Sequence, residues 1–333
     1  MACQWDILLN HGQYPTGPEH ALRALESIED WEERLSVFRP SSELSQINHQ
    51  AADQPVAVSD AMWTVLELAR DLWEWTGGAF DITSAPLSQC WGFLKREGRM
   101  PDEQEIAAAL KNVGMDQVEL NAEHQTVQFL NPQITLNLGG IGKGWALDQI
   151  AQQLREQNVD DFLFHAGQSS VVAAGNRVTA EMVAAARNRS QPEPSAEASE
   201  PHSSEAEPGI GWDVGVSHPL FPDQQLGVIH LHDQALGTSG SARQFVHYRG
   251  QRLSHILDPR TGRPAQGVLS ATVLAPTAAQ ADALGTACFV LGPDACQELV
   301  QQIPDLQILM VVPAARGIEI VPLGDWKQQW QPA

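Results

Sequence analysis

The sequence predicts an α+β protein: mixed, mainly antiparallel sheets with helices packed on them. Two observations carry this. The first ninety of the 333 residues read mainly as helices, with apolar side chains three and four apart. From residue 117 onward, short alternating stretches separated by polar turns take over, as in hairpin-built sheet. No repeat of fixed period is visible, and residues 1–333 are expected to form one functional unit.

Taken in order, residues 21–38 place Leu22, Leu25, Ile28, Trp31 and Leu35 on one helical face. A turn through Arg39-Pro40 leads to a short helix over 44–48. A longer helix is predicted over 60–75, stopped by Gly77-Gly78. Another covers 102–112. Residues 117–120 and 126–130 alternate around a polar turn and predict a hairpin. Residues 134–138 predict a third strand that delivers the chain into a glycine-rich turn, followed by a helix over 145–157. Strands are expected at 162–166, 171–174, 212–216 and 227–232. Between them, residues 177–208 shift to Ala, Ser, Pro and Glu. That composition cannot bury enough apolar surface to offset its ordering entropy, so a disordered acidic insertion is expected.

Composition narrows the function. The formal net charge of −21 argues against nucleic acid and against anionic membrane surfaces, both of which need a basic footprint. No apolar run reaches the roughly 18 residues of a membrane span. The N-terminal residues lack a basic n-region and an apolar h-region, which predicts a cytoplasmic location, or an extracytoplasmic one if a targeting segment has been removed. Cys3, Cys90, Cys288 and Cys296 form no CxxC pair and have no His at metal-ligand spacing, so neither a disulfide framework nor a zinc site is expected.

Four segments carry chemistry. In Leu138-Gly139-Gly140-Ile141-Gly142-Lys143-Gly144, a strand, four glycines with one lysine and a helix follow one another. This is the layout of a phosphate cradle, in which backbone N–H groups turn toward an anion at a helix N-terminus. It is not a P-loop, because Asn137 stands where the first glycine belongs and Gly144 where Ser or Thr does. Nor is it a dinucleotide fingerprint, since Leu147 replaces the third glycine. The same glycines also suit a tight turn where backbone packs closely.

The second segment starts a helix with a Thr277/Gln280 capping box. Asp282 and Thr286, four apart among Ala and Gly, then share a face and can ligate a hard cation through oxygen. They equally suit a helix with two polar groups in water. In the third, His255 stands at a strand end before the turn Asp258-Pro259-Arg260-Thr261-Gly262, where it could transfer a proton or simply be a satisfied histidine. The fourth, Thr238-Ser239-Gly240, reads as a small polar loop able to meet a ligand's edge.

In this order, the segments resemble the ApbE family of FAD:protein FMN transferases. The resemblance extends to Phe38 through Asn48, Phe80-Asp81-Ile82-Thr83 with Pro86-Leu87, Trp91-Gly92-Phe93 and Ala281-Asp282-Ala283. It implies a T-fold-like flavin transferase architecture and a Mg²⁺-dependent reaction. FAD would be the substrate, FMN would pass to a Ser or Thr hydroxyl of an acceptor protein, and AMP would leave. It implies that Asp282, Thr286 and the carbonyl of Gly142 hold the metal, and that His255 is the base, with Asp282 and Lys143 also catalytic. Gly139, Gly140, Gly142, Lys143, Thr238, Ser239, Gly240, His255 and Asp258 would surround the FAD, with Glu43, Asn48, Asp81 and Thr83 lining its flavin and adenosine side. The sequence departs from the family pattern at Asn137, where Asp is usual, and at Gln168-Ser169, where Gly-Asp is usual; each removes a carboxylate from the metal's surroundings. Those losses keep open a non-catalytic flavin-binding protein as an alternative, beside an FAD pyrophosphatase of the same fold.

Overall fold

A computed structural model describes residues 3–95, 98–177, 211–240, 245–248, 251–326 and 329–333. The predicted insertion, apart from Arg177, lies outside the described residues. The main sheet has seven strands: β1 (Trp5–Leu9), β5 (Phe162–Ala166), β6 (Ser170–Ala174), β9 (Gln234–Gly240), β14 (Ser270–Ala275), β15 (Gln307–Pro313) and β16 (Ile318–Leu323), in that spatial order. Every pairing in it is antiparallel. The expected fold class therefore holds.

Period-two alternation sorts the strand side chains into two cores. Phe162, Phe164, Val172, Ala235 and Val273 face the main core. It is closed by α7 (Gly142–Glu156), α8 (Ala278–Gln302) and α4 (Asp60–Trp75). Leu163, Val171, Leu236, Leu274 and Leu309 face a smaller sheet in the order β17 (Trp330–Pro332), β8 (Gln225–Leu231), β7 (Trp212–Ser217). A third cluster joins α5 (Ala85–Cys90) and α6 (Glu103–Leu110) to Leu253 and Leu257, beside β11 (Gln251–Ser254) and β12 (Leu257–Asp258).

Several elements match the sequence reading. Helix α4 spans the predicted residues, with Ser59 Oγ accepting from Met62 N and with Gly77 (φ 55°) and Gly78 (φ 78°) beyond its end. β3 (Val118–Asn121) and β4 (Thr126–Phe129) form the hairpin, joined to β2 (Val56–Ala57). All four cysteines are free.

Others differ. The single helix expected over 21–38 is two, α1 (Gly17–Glu26) and α2 (Ile28–Leu35). Ser27 parts them, and its hydroxyl donates back to Ala24 O at 2.7 Å, a bond that competes with helix continuation. Residues 134–138 keep the alternating burial of a strand but join no strand ladder. The Asn48 carboxamide, on α3 (Glu43–Gln50), stands in for a neighbouring strand. Its Nδ2 donates to Leu136 O (2.9 Å) and its Oδ1 accepts from Leu136 N (2.8 Å). Thr238, Ser239 and Gly240 are not a loop but the end of β9, paired with Thr272, Ala271 and Ser270. Helix α7 begins at Gly142, three residues earlier than predicted, so part of the glycine turn is already helix.

Candidate active site

The site forms where the N-terminal turns of α7 and α8 meet the ends of β6 and β9. Glycine makes this approach possible. A Cβ on Gly144 would stand 2.1 Å from Ala278 O, and one on Gly237 would stand 2.3 Å from Ala281 O, so neither position admits a side chain. Gly140 is nearly as confined, 3.2 Å from the Phe80 ring. None of Gly139, Gly140, Gly142 and Gly144 has positive φ. Close backbone packing thus explains Gly144, and helix start explains Gly142.

Asp282 is the hub. Its side chain is 5% exposed, and a buried carboxylate must be bonded or paired. Oδ1 accepts from Ser170 Oγ at 2.6 Å. Oδ2 accepts from Gly144 N at 2.9 Å and from Lys143 Nζ at 3.3 Å. Lys143 Nζ also donates to Ser170 Oγ at 3.1 Å. One turn along α8, Thr286 Oγ1 lies 3.3 Å from Asp282 O and 3.2 Å from Ser239 Oγ. It would also lie 3.8 Å from a Cβ on Gly140. The predicted Asp282, Thr286, Lys143, Ser239 and glycine-turn residues are thus brought together, and Gly142 adjoins them as the first residue of α7.

This donor set suits Mg²⁺. The ion takes one or two carboxylates and completes its octahedron with neutral oxygens, water and substrate phosphates. Asp282 would supply the carboxylate, Thr286 a hydroxyl and Gly142, the expected third ligand, a carbonyl. Among the described residues no group of three His, Cys, Asp or Glu side chains could hold a metal. Asn137 turns its Oδ1 onto Gly139 N at 2.9 Å, fixing the turn that precedes α7.

The other predicted residues are held by partners of their own. Thr238 Oγ1 meets Thr272 Oγ1 at 3.0 Å, and its backbone N–H donates to Ser169 O at 2.7 Å. His255, partly exposed just after β11, meets the Phe93 ring edge-on at 6.5 Å between centroids. Asp258 closes its turn by accepting from Arg260 N (2.9 Å) and pairs with the Arg260 guanidinium at 2.8 and 2.9 Å. Gly262 continues that turn at φ 70°, and its carbonyl accepts from Trp91 Nε1 at 2.8 Å.

Four residues predicted to line the ligand have protein partners. Glu43 accepts from Ser59 N and Ser59 Oγ at 2.6 and 2.8 Å, at the start of α4. Asn48 brackets Leu136. Thr83 has no exposed surface; its hydroxyl donates to Asp81 Oδ1 at 2.5 Å and accepts from Gly114 N at 2.7 Å. Burial pushes the Asp81 carboxyl up, against hydrogen bonds from Thr83, Met115 N and Trp73. These side chains hold the segments around the site together.

Two residues were missed. Ser170 opens a strand that otherwise reads Val-Val-Ala-Ala, and its signal was a hydroxyl in a wholly apolar run. Asp148, one turn after Gly144 on α7, accepts from Ala278 N (2.8 Å) and Ala279 N (2.9 Å), capping α8 from a neighbouring helix. Thr277 Oγ1 adds a weaker cap on Gln280 N at 3.3 Å. Burial pushes the Asp148 carboxyl up to about 7 and Asp282 adds to the rise, while the N–H groups of Ala279 and Ala278 and the Arg155 guanidinium oppose it.

The architecture is that of the flavin transferases. The fold superposes on flavin transferase ApbE from Vibrio cholerae with a TM-score of 0.77 at 25% identity, covering 99% of this chain and 96% of that one. The ApbE protein from Thermotoga maritima gives 0.78 at 26% identity, over 98% of this chain and all of that one. The ApbE family model matches residues 1–310, and the chain belongs to the ApbE family. Relatives named FAD:protein FMN transferase include one from Klebsiella pneumoniae, 30% identical over 307 residues (90% of this chain, 79% of that protein). Another, from Treponema pallidum, is 31% identical over 317 residues (92% and 81%). No described helix is long and apolar enough to cross a membrane.

Proposed function

We propose that this enzyme transfers FMN from FAD to a Ser or Thr hydroxyl of an acceptor protein, in a Mg²⁺-dependent reaction that releases AMP. The observation that carries this reading is the convergence of Asp282, Thr286, Lys143 and the first turn of α7 on one point. A bound Mg²⁺ would neutralise pyrophosphate charge and make AMP a better leaving group. Lys143 is 29% exposed, and its flexible stem lets the ammonium turn from Asp282 to a phosphate oxygen. The start of α7 turns the positive end of a helix toward developing negative charge, with its Gly142 N–H already held by Leu138 O and its Gly144 N–H by Asp282.

In the transfer itself, the acceptor oxygen forms a bond to the FMN phosphorus as the bond to the AMP oxygen breaks. His255 takes the acceptor hydroxyl's proton, because a neutral hydroxyl is a poor nucleophile at neutral pH. The resemblance and the relatives' shared name support FAD as the donor and a protein as the acceptor.

The experiment incubates the purified protein with FAD and Mg²⁺, with and without a Ser/Thr-bearing acceptor, and follows AMP and protein-bound flavin fluorescence. AMP and bound flavin appearing only with acceptor is the expected result. AMP released equally without acceptor would make it a pyrophosphatase, and bound FAD with no AMP in either case would make it a flavin-binding protein. Asp282→Ala and Thr286→Ala should each abolish Mg²⁺-dependent turnover; unchanged AMP release in both would remove the metal assignment.

A further inference from the structure

We propose that Ser170 is a positioning residue for the metal: its hydroxyl fixes the plane of the Asp282 carboxylate, so that one oxygen stays aimed at the cation when Lys143 departs. The inference rests on the metal reading above and adds a residue that reading does not contain.

All five residues of β6 are buried, and Ser170 has no exposed surface. It lies on the same strand face as Val172 and Ala174, toward the main core. An alanine would fill that space, whereas a hydroxyl must be bonded to be tolerated there. Among the described residues, Ser170 meets this requirement through site groups. It donates to Asp282 Oδ1 at 2.6 Å, accepts from Lys143 Nζ at 3.1 Å and stands 3.5 Å from Ser169 Oγ. The 2.6 Å bond is in the range of charge-assisted O–H···O⁻ contacts.

A carboxylate offers about four lone-pair positions. On Asp282 three are taken, by Ser170, Gly144 N and Lys143. These partners differ in what they can do. The Lys143 ammonium rides on a flexible, partly exposed stem and can leave. Gly144 N is fixed in the first turn of α7, and Ser170 is fixed in a paired strand opposite Gly237. With one immovable donor on each oxygen, the carboxylate cannot rotate after the ammonium has gone. Without Ser170, Oδ1 has no partner among these and the group can swing about the Gly144 bond. Outer-shell hydrogen bonds of this kind typically govern metal affinity by ten- to a hundredfold.

The test measures metal binding to the free protein without FAD, using Mn²⁺ as probe and its electron paramagnetic resonance signal as readout. Ser170→Ala should weaken Mn²⁺ binding about tenfold or more, with little change in melting temperature. Ser170→Thr and Ser170→Val then separate hydroxyl from shape, since the two side chains are nearly isosteric. Thr should retain most of the affinity and Val should lose it as Ala does. Wild-type affinity in the Ala and Val variants would overturn the proposal, and so would an equal loss in all three. Asp282→Asn distinguishes the two levels. If it loses Mn²⁺ while Ser170→Ala does not, only the positioning role falls; if it keeps Mn²⁺, the metal reading falls and the proposal with it.

Discussion

The backbone N–H of Gly144 donates to Oδ2 of Asp282 across 2.9 Å, tying the first turn of one helix to the carboxylate of another 138 residues away. That contact exists because α7 and α8 approach so closely at Ala278 that only glycine fits between them. Gly144→Ala would drive a methyl to within 2.1 Å of Ala278 O, a backbone atom that cannot step aside. The expected loss is about 3 kcal/mol of stability, together with Asp282 alignment. Gly142→Ala meets only Leu138 Cβ at 3.6 Å and Leu35 Cδ1 at 3.9 Å, and should be neutral or stabilise by up to about 1 kcal/mol. Denaturant midpoints for the pair check this; equal midpoints would reject the packing account.

Asp148 should make stability fall as pH rises. Folded Asp148 keeps its proton up to about 7, against an ordinary value of 3.8, because it is buried beside Asp282. Between those values the folded state binds more protons than the unfolded one, so stability declines with rising pH through that window. Asp148→Asn should flatten the decline, by about 1–3 kcal/mol across the range. Melting temperatures from pH 4 to 8 in both proteins measure it, and parallel curves would exclude Asp148 as the source.

Asn48→Asp should destabilise the protein rather than act first on the ligand. Asp keeps an acceptor for Leu136 N but sets a second carboxylate oxygen against Leu136 O, in a residue with no exposed surface. An unsatisfied buried carbonyl facing a like-charged atom costs about 2–4 kcal/mol. Equilibrium unfolding tests this. Wild-type stability combined with lost FAD binding would instead place Asn48 on the ligand.

His255→Ala should lower transfer to the acceptor about 10²–10⁴-fold, the usual contribution of a positioned base. FAD affinity should change by less than about tenfold, as expected of a group that moves a proton in the transition state and does not hold the ground state. Single-turnover transfer and flavin-fluorescence titration separate the two, and an unchanged transfer rate would remove the base assignment.

Local chemistry determined much of this protein from sequence alone. Helix α4 was bounded correctly because its cap and its Gly77-Gly78 stop lie next to it in the chain. The β3–β4 hairpin was legible for the same reason. Asp282 and Thr286 could be paired because a helix places residues four apart on one face. What the sequence could not reveal is held by contacts across the chain. The run at 134–138 buries Ile134, Leu136 and Leu138 alternately as a strand would, yet the Asn48 side chain, 88 residues from Leu136, brackets it in place of a neighbouring strand. The Thr238 segment reads as a loop because small polar residues favour turns, but pairing with β14 makes it a strand. Glu43, Asp81 and Thr83 carry polar groups that could meet a ligand, and only tertiary packing commits them to Ser59, Gly114 and one another. Ser170 and Asp148 gained their partners the same way, from elements more than a hundred residues distant. Sequence spacing fixes which side chains share a face, but a buried polar group takes whatever partner the assembled core brings within about 3 Å. The tertiary structure therefore decided how the glycine turn became a site: Gly144 lets α7 reach α8, and Asp282 is held where they meet.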